Sequence, residues 1–173
     1  MSSTLIVGPS WVGDMIMAQT LFKRLKSQKP DQQIDVLAPR ASLPMASRMA
    51  EVSGIFEFNV RHGELGLAYR RSVAKKLSGG GYDRAIVLPN SLKSALVPFF
   101  AGIPTRTGFR GEYRYGLIND MRLLDKRRMP RMIDRFAALA VLDSSENKPP
   151  DFPEYPDLKV DLDQRERLLD QFN

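Results

Sequence analysis

Among 173 residues there is no cysteine, one histidine and one tryptophan. Without cysteine the chain can hold no disulfide framework, no thiolate zinc or iron–sulfur site and no thiol nucleophile. With His62 as its single histidine, a histidine-rich metal centre is excluded as well. Long apolar runs are also lacking. The longest, Ala95 to Ile103, contains Pro98 and Gly102 and falls short of the ~18 residues that a bilayer-spanning helix requires. The opening stretch from Met1 to Trp11 has no basic segment ahead of its short apolar run, so it does not read as a secretory leader. The expectation is a soluble cytosolic domain.

What is present suits a globular fold. Hydrophobic residues make up 43% and charged residues 27%, enough apolar side chains for one core of ordinary domain size. The net charge of +6 is unevenly spread. Residues 1–60 carry 6 Lys/Arg against 5 Asp/Glu, residues 61–135 carry 16 against 6, and residues 136–173 carry 4 against 9. The middle segment alone is therefore +10. A field of that kind attracts phosphates and carboxylates, whether on nucleic acid, a membrane surface or a small substrate.

Along the chain, short β-branched runs alternate with helical periodicity. Thr4–Val7, Ile34–Ala38, Ile55–Val60 and Arg84–Leu88 read as strands. Met15–Lys26, Leu43–Ala50, Leu67–Leu77 and Leu92–Phe100 read as helices between them, with Met132–Leu142 as a later one. Four strands alternating with four helices predict an α/β fold, a Rossmann-like doubly wound, mostly parallel sheet. Residues 104–129 read as irregular. The segment 143–160, with Pro149, Pro150, Pro153 and Pro156, reads as a linker after a domain spanning 1–142. A helical pattern resumes within 161–173, which suggests the start of a second domain and a truncated two-domain protein.

In doubly wound sheets, ligands sit beyond the carboxyl ends of the strands. The first such loop, Gly8-Pro-Ser-Trp-Val-Gly-Asp14, has neither the dinucleotide fingerprint nor the Gly-Lys-Ser/Thr of a phosphate-binding loop. It does place Asp14 and Ser10 at a helix entrance. Asp14 suits either an N-cap or a general base that deprotonates a substrate hydroxyl. The loop Pro89-Asn-Ser-Leu-Lys-Ser94 gathers Asn90, Ser91, Lys93 and Ser94 at another helix start, suited to an oxyanion or sugar hydroxyls or else to capping. Lys93 there opposes the helix dipole, which points to a ligand. Two arginine clusters complete the candidates. One joins Arg61 and His62 to Arg70, Arg71, Lys75 and Lys76; the other interleaves Arg106, Arg110 and Arg114 with Phe109, Tyr113 and Tyr115. Lys75 and Lys76 suit a solvated helix face, and Lys126-Arg127-Arg128 reads as a solvated turn. Basic residues among aromatics could also stack nucleic acid, although no established nucleic-acid motif is present. A non-catalytic anion- or nucleic-acid-binding module is therefore the alternative to an enzyme.

Three stretches carry a resemblance: Gly8 to Met15, Leu88 to Pro104, and Arg106 to Gly116. In this order they resemble the ADP-heptose-dependent lipopolysaccharide heptosyltransferases of type II, within glycosyltransferase family 9. The resemblance implies a GT-B architecture, two Rossmann-like domains facing across a cleft, of which this chain would be the N-terminal, acceptor-binding one. It implies inverting, metal-independent transfer of L-glycero-D-manno-heptose from ADP-heptose to the first heptose of the Kdo2-lipid A inner core. No cofactor is implied, and the donor would be held mainly by a C-terminal domain. Asp14 matches the proposed base of the related type I enzymes. Lys93 and Ser94 match the family's Lys-Ser pair after the fourth strand, and with Ser10, Arg61, Asn90, Arg110 and Arg114 they are expected to bind the acceptor; Arg70 is a weaker candidate. The partners implied are an anionic lipid-linked oligosaccharide and a nucleotide sugar. The place implied is peripheral, at the cytoplasmic face of the inner membrane of a Gram-negative bacterium, with no nucleic acid involved. The fragment alone would be inactive.

Overall fold

Short apolar runs bounded by Gly and Pro pair side by side, because in parallel strands buried on both faces nearly every residue contributes to a core. The computed structural model describes residues 2–59, 64–141, 154–160 and 162–171. Its strands are β1 (Ser3–Val7), β2 (Gln33–Ala38), β3 (Gly54–Glu57), β4 (Arg84–Val87), β5 (Thr105–Phe109) and β6 (Asp120–Arg122). They form one six-stranded sheet in the order β3-β2-β1-β4-β5-β6, every pairing parallel. The central register sets Ile6 beside Val36 on one side and Ile86 on the other. The expected doubly wound α/β architecture is thus observed, with two strands more than the sequence reading found.

The period-2 alternation of each strand divides the interior into two cores. Ile6, Ile34, Val36 and Ile86 face α1 (Val12–Gln28), α2 (Leu43–Ala46) and α5 (Met132–Ala138), where Leu21, Phe22 and Leu139 are fully buried. Leu5, Val7, Leu37, Ala85 and Val87 face α3 (Leu67–Leu77) and α4 (Leu96–Phe100), packing with Val73, Leu77 and Ile103. Each large side chain buried in this way contributes roughly 1.5–3 kcal/mol.

Several boundaries differ from expectation for identifiable reasons. Helix α1 begins at Val12 rather than Met15, on an extended Trp11 that makes no side-chain cap bond. The helix after β4 is divided, Leu92–Ala95 being a 3₁₀ turn that runs into α4. The Leu43–Ala50 helix shortens to four residues, and β3 stops at Glu57. In the stretch read as irregular, β5 and β6 form because Gly108 lets the backbone pass close to the core: a Cβ there would lie 3.1 Å from the Val87 carbonyl oxygen. Beneath their amino ends, Arg84 donates to Thr107 (2.9 Å) and to the Leu139 carbonyl (3.0 Å), and Arg122 pairs with Asp120 at 2.9 Å.

The described end of the expected linker, residues 154–160, is docked to the domain. The Gln19 side chain, fully buried in α1, donates to the Asp157 carbonyl (2.8 Å) and accepts from the Asp157 amide (2.7 Å). Lys23 donates to the Tyr155 carbonyl at 2.9 Å, and the Lys159 amide to the Arg48 carbonyl at 2.9 Å. Helix α6 (Leu162–Asp170) follows, with Leu162 and Leu169 exposed. Among the described residues no helix is long and apolar enough to cross a membrane.

Candidate functional site

The strand order reverses direction between β1 and β4, and the crevice beyond their carboxyl ends is where this fold places ligands. These two strands end in step, with the Leu88 amide donating to the Val7 carbonyl at 3.1 Å, while the Gly8 amide extends the β1–β2 pairing by donating to the Leu37 carbonyl at 2.9 Å. Ser10 and Asp14 leave from β1, and Asn90, Lys93 and Ser94 leave from β4.

Asp14 lies in the first turn of α1, two residues beyond its start, where an acidic side chain complements the helix dipole. It is half-buried and forms no side-chain hydrogen bond among the described residues, so the N-cap reading does not hold. It lines a groove of about 360 Å³ with Ser10, Trp11, Pro89, Asn90, Phe109, Lys126 and Arg135. Trp11, 77% exposed, stands at the rim.

Asn90 is exposed, and its Oδ1 accepts from Arg114 at 3.1 Å. That contact leaves its amide hydrogens without a partner among the described residues. Lys93 and Ser94, with Ser10 again, line a second groove of about 160 Å³ floored by Val7, Leu37 and Val97 and walled by Phe58 and Arg70. The Lys93 ammonium has no partner among the described residues. Ser94 is committed differently: its hydroxyl donates to the carbonyls of Pro89 (3.0 Å) and Ser91 (2.6 Å), tying the turn closed. Arg110 is exposed and lines a third groove of about 550 Å³ with Asn90, Glu112, Leu123 and Lys126, while its amide donates to the Arg122 carbonyl at 2.8 Å.

One expected contact requires correction. Arg114 is fully buried. Its guanidinium donates to the Pro89 carbonyl (2.6 Å), to Asn90 Oδ1 (3.1 Å) and to the Phe109 carbonyl, and Ser94 Oγ lies 3.4 Å away. Burial lowers its pKa, and the Glu112 carboxylate acts in the opposite sense. Arg114 therefore holds the Asn90 turn from behind instead of meeting a ligand. Arg70 behaves alike: 3% exposed, it donates to the carbonyls of Leu65 (2.7 Å) and Lys93 (2.8 Å) and lies 4.9 Å over the Phe58 ring. Arg106 is spent on the Leu117 (2.7 Å) and Ile103 (2.6 Å) carbonyls. Arg61 and His62 lie outside the described residues.

The sequence reading missed Lys126 and Arg135, which line the Asp14 groove. Arg135 is engaged by the Met129 and Pro130 carbonyls, each at 2.9 Å. Nothing in the run Lys126-Arg127-Arg128 distinguishes its first member, and only the path of the turn does so.

The family model of glycosyltransferase family 9 (heptosyltransferase) matches residues 70–173. The chain belongs to that family. It is 47% identical over 172 residues to lipopolysaccharide heptosyltransferase 2 of Escherichia coli, covering 98% of this chain and 49% of that protein. It is 46% identical over 172 residues to the Salmonella typhimurium protein of the same name, with the same coverage. The solved structure of the E. coli ADP-heptose LPS heptosyltransferase II superposes with a TM-score of 0.85 at 44% identity, covering 100% of this chain and 51% of that one. The chain thus spans about half the length of the curated relatives it matches.

Proposed function

We propose that this chain is the acceptor-binding half of an inverting heptosyltransferase that moves L-glycero-D-manno-heptose from ADP-heptose to the first heptose of the Kdo2-lipid A inner core. The observation that carries this reading is the Asp14 carboxylate, without a side-chain hydrogen bond among the described residues, lining one groove with Asn90 at the sheet's switch point. The relatives named above supply the donor and the acceptor class. The acceptor hydroxyl lies in the groove and gives its proton to Asp14 as its oxygen attacks the anomeric carbon. The new C–O bond forms as the bond to the ADP phosphate breaks, and the electron pair leaves with ADP. One displacement inverts the centre, and neither a metal nor a cofactor takes part.

Ser10 and Asn90 orient the sugar, while Lys93 and Arg110 meet anionic groups in the flanking grooves. Ser94 acts by shaping the turn that carries Lys93, and Arg61 belongs to the same reading by resemblance. The donor is held mainly by a second domain facing these loops, so the present chain alone turns over no ADP-heptose. The excess of basic residues between 61 and 135 suits work at an anionic, cytoplasmic membrane surface where a lipid-linked acceptor is embedded. The relatives named above are heptosyltransferases, which favours this reading over the nucleic-acid alternative.

The deciding experiment is Asp14→Asn in the enzyme that joins this chain to its donor domain. The expected loss in kcat is about 10²- to 10⁴-fold, with acceptor affinity and unfolding midpoint unchanged. A kcat within a few-fold of the parent would remove Asp14 from the reaction.

A further inference from the structure

The Asp14 groove and the Arg110 groove share three lining residues, Asn90, Leu124 and Lys126. The two grooves therefore adjoin along these residues, and Lys126 belongs to the wall of both ends of the resulting trough. Two other cations and two carboxylates line this trough. Arg135 is occupied by backbone carbonyls, and Arg110 stands at the far end from Asp14. Glu112 is held at the turn after β4, where its Oε2 accepts from the Leu92 amide at 3.1 Å. Asp14 is the carboxylate at the near end.

The backbone holds Lys126 in place. Asp125 Oδ1 accepts from the amides of Arg127 (2.9 Å) and Arg128 (3.3 Å), and the Met129 amide donates to the Asp125 carbonyl at 2.9 Å. The Arg128 guanidinium lies 3.8 Å from Asp125 Oδ2. The neighbouring carboxylate is thus taken up by its own turn and by Arg128, while the Lys126 ammonium has no partner among the described residues. A mobile point charge with three donors suits an oxyanion of no fixed orientation.

We propose that Lys126 determines acceptor specificity by binding an oxyanion, carboxylate or phosphate, carried by the attacking sugar or by the sugar next to it. The proposal rests on the acceptor-half reading above. It distinguishes Lys126, within reach of the reacting end of the trough, from Arg110, which meets an anion further along the oligosaccharide.

The test is calorimetric titration of this chain with deacylated heptosyl-Kdo2 oligosaccharide. Two modified forms serve as comparison arms, one with its carboxyl groups reduced and one with its phosphates removed. Lys126→Ala is expected to weaken binding of the intact acceptor about ten- to a hundredfold. Lys126→Arg restores most of it, and Lys75→Ala on the exposed side of α3 changes nothing. Against the form that lacks the group Lys126 meets, parent and Lys126→Ala bind equally weakly, which identifies the group as carboxylate or phosphate. Equal binding of the intact acceptor by parent and Lys126→Ala overturns the proposal. A loss that persists undiminished on both modified forms also overturns it, since that would be a general field effect. If the parent binds none of the three, the acceptor-half reading itself fails.

Discussion

Replacing Arg114 by Met tests whether the loops at the mouth of the sheet are organised from within. Methionine keeps much of the length and apolar volume of arginine, so the cavity left behind is small, and the main loss is polar. Three acceptors stand to lose their donor: the Pro89 and Phe109 carbonyls and Asn90 Oδ1. At roughly 1–2 kcal/mol for each of the three acceptors left unpaired or forced to recruit water, the destabilisation is about 3–6 kcal/mol. Those acceptors sit on the turn after β4 and at the end of β5, so the damage also reaches function. Asn90 loses the contact that fixes its amide, and Ser94 loses a neighbour at 3.4 Å. Urea unfolding followed by circular dichroism measures the first effect, as a lower midpoint at an unchanged slope. Acceptor titration measures the second. A stability loss below about 1 kcal/mol would refute the reasoning, because it would mean that the buried guanidinium does no more than fill space. The exposed Arg110 provides the contrast: Arg110→Met leaves the stability within about 0.5 kcal/mol of the parent and changes only binding.

Three further outcomes follow from particular contacts. A Cβ at Gly111 would overlap the Asn90 carbonyl oxygen, so Gly111→Ala pushes the Arg110 loop off the Asn90 turn; acceptor titration should show at least about a tenfold loss, against a stability cost of about 1–2 kcal/mol. Gly13, in the first turn of α1 with nothing within 4 Å of an added Cβ, behaves oppositely, and Gly13→Ala raises stability by about 0.4–1 kcal/mol in the same unfolding assay. The buried Tyr82 hydroxyl donates to Asp35 at 2.6 Å, and desolvation first, then that hydrogen bond and the Asp35 charge, raise its pKa. The unfolded chain therefore releases this proton near pH 10 while the folded one keeps it. The associated stability is fully present below about pH 10 and falls above it by up to about 1.4 kcal/mol per unit. Tyr82→Phe should be less stable at neutral pH, and its deficit relative to the parent should shrink between pH 10 and 11; a constant difference would refute the assignment.

The parts of the fold that sequence conveys are those where periodicity and punctuation agree. Leu67–Leu77 has helical spacing closed by three glycines, and its observed bounds match. The first, second and fourth strands are β-branched runs ended by Gly or Pro, and they sit at the centre of the sheet. By contrast, β5 hides in Thr-Arg-Thr-Gly-Phe, where a strand-weakening glycine is needed because Val87 and Arg114 pack against it. With three residues, β6 leaves no period to detect. The start of α1 is not legible because Trp11 is not a residue type that announces a cap.

At the site, the two loops of the switch point were legible because the fold dictates where ligands bind, and Asp14 and Asn90 do line one groove. The arginines were not legible. Arg110 and Arg114 are four residues apart in the same glycine-flanked loop, yet one is exposed and the other fully buried. Between them the chain turns through Tyr113, whose φ of 23° is unusual for a non-glycine residue and has no sequence signal. Lys126 is hidden for the converse reason, since a basic tripeptide in a turn looks the same whether it faces bulk water or a trough.

The clasp at Gln19 makes α1 a beam loaded at two points. Asp14 rides five residues before it, about 7.5 Å along the axis, and residues 154–160 hang from it through a paired donor and acceptor. Tension or torsion arriving along that strap is borne by the helix that carries the carboxylate, and stiffness between the two points keeps their spacing constant. A hydrocarbon, ammonium or carboxylate side chain cannot offer both halves of the clasp. A carboxylate at position 19 would in addition face the Asp157 carbonyl and Glu51 Oε2, to which Gln19 now donates at 2.9 Å.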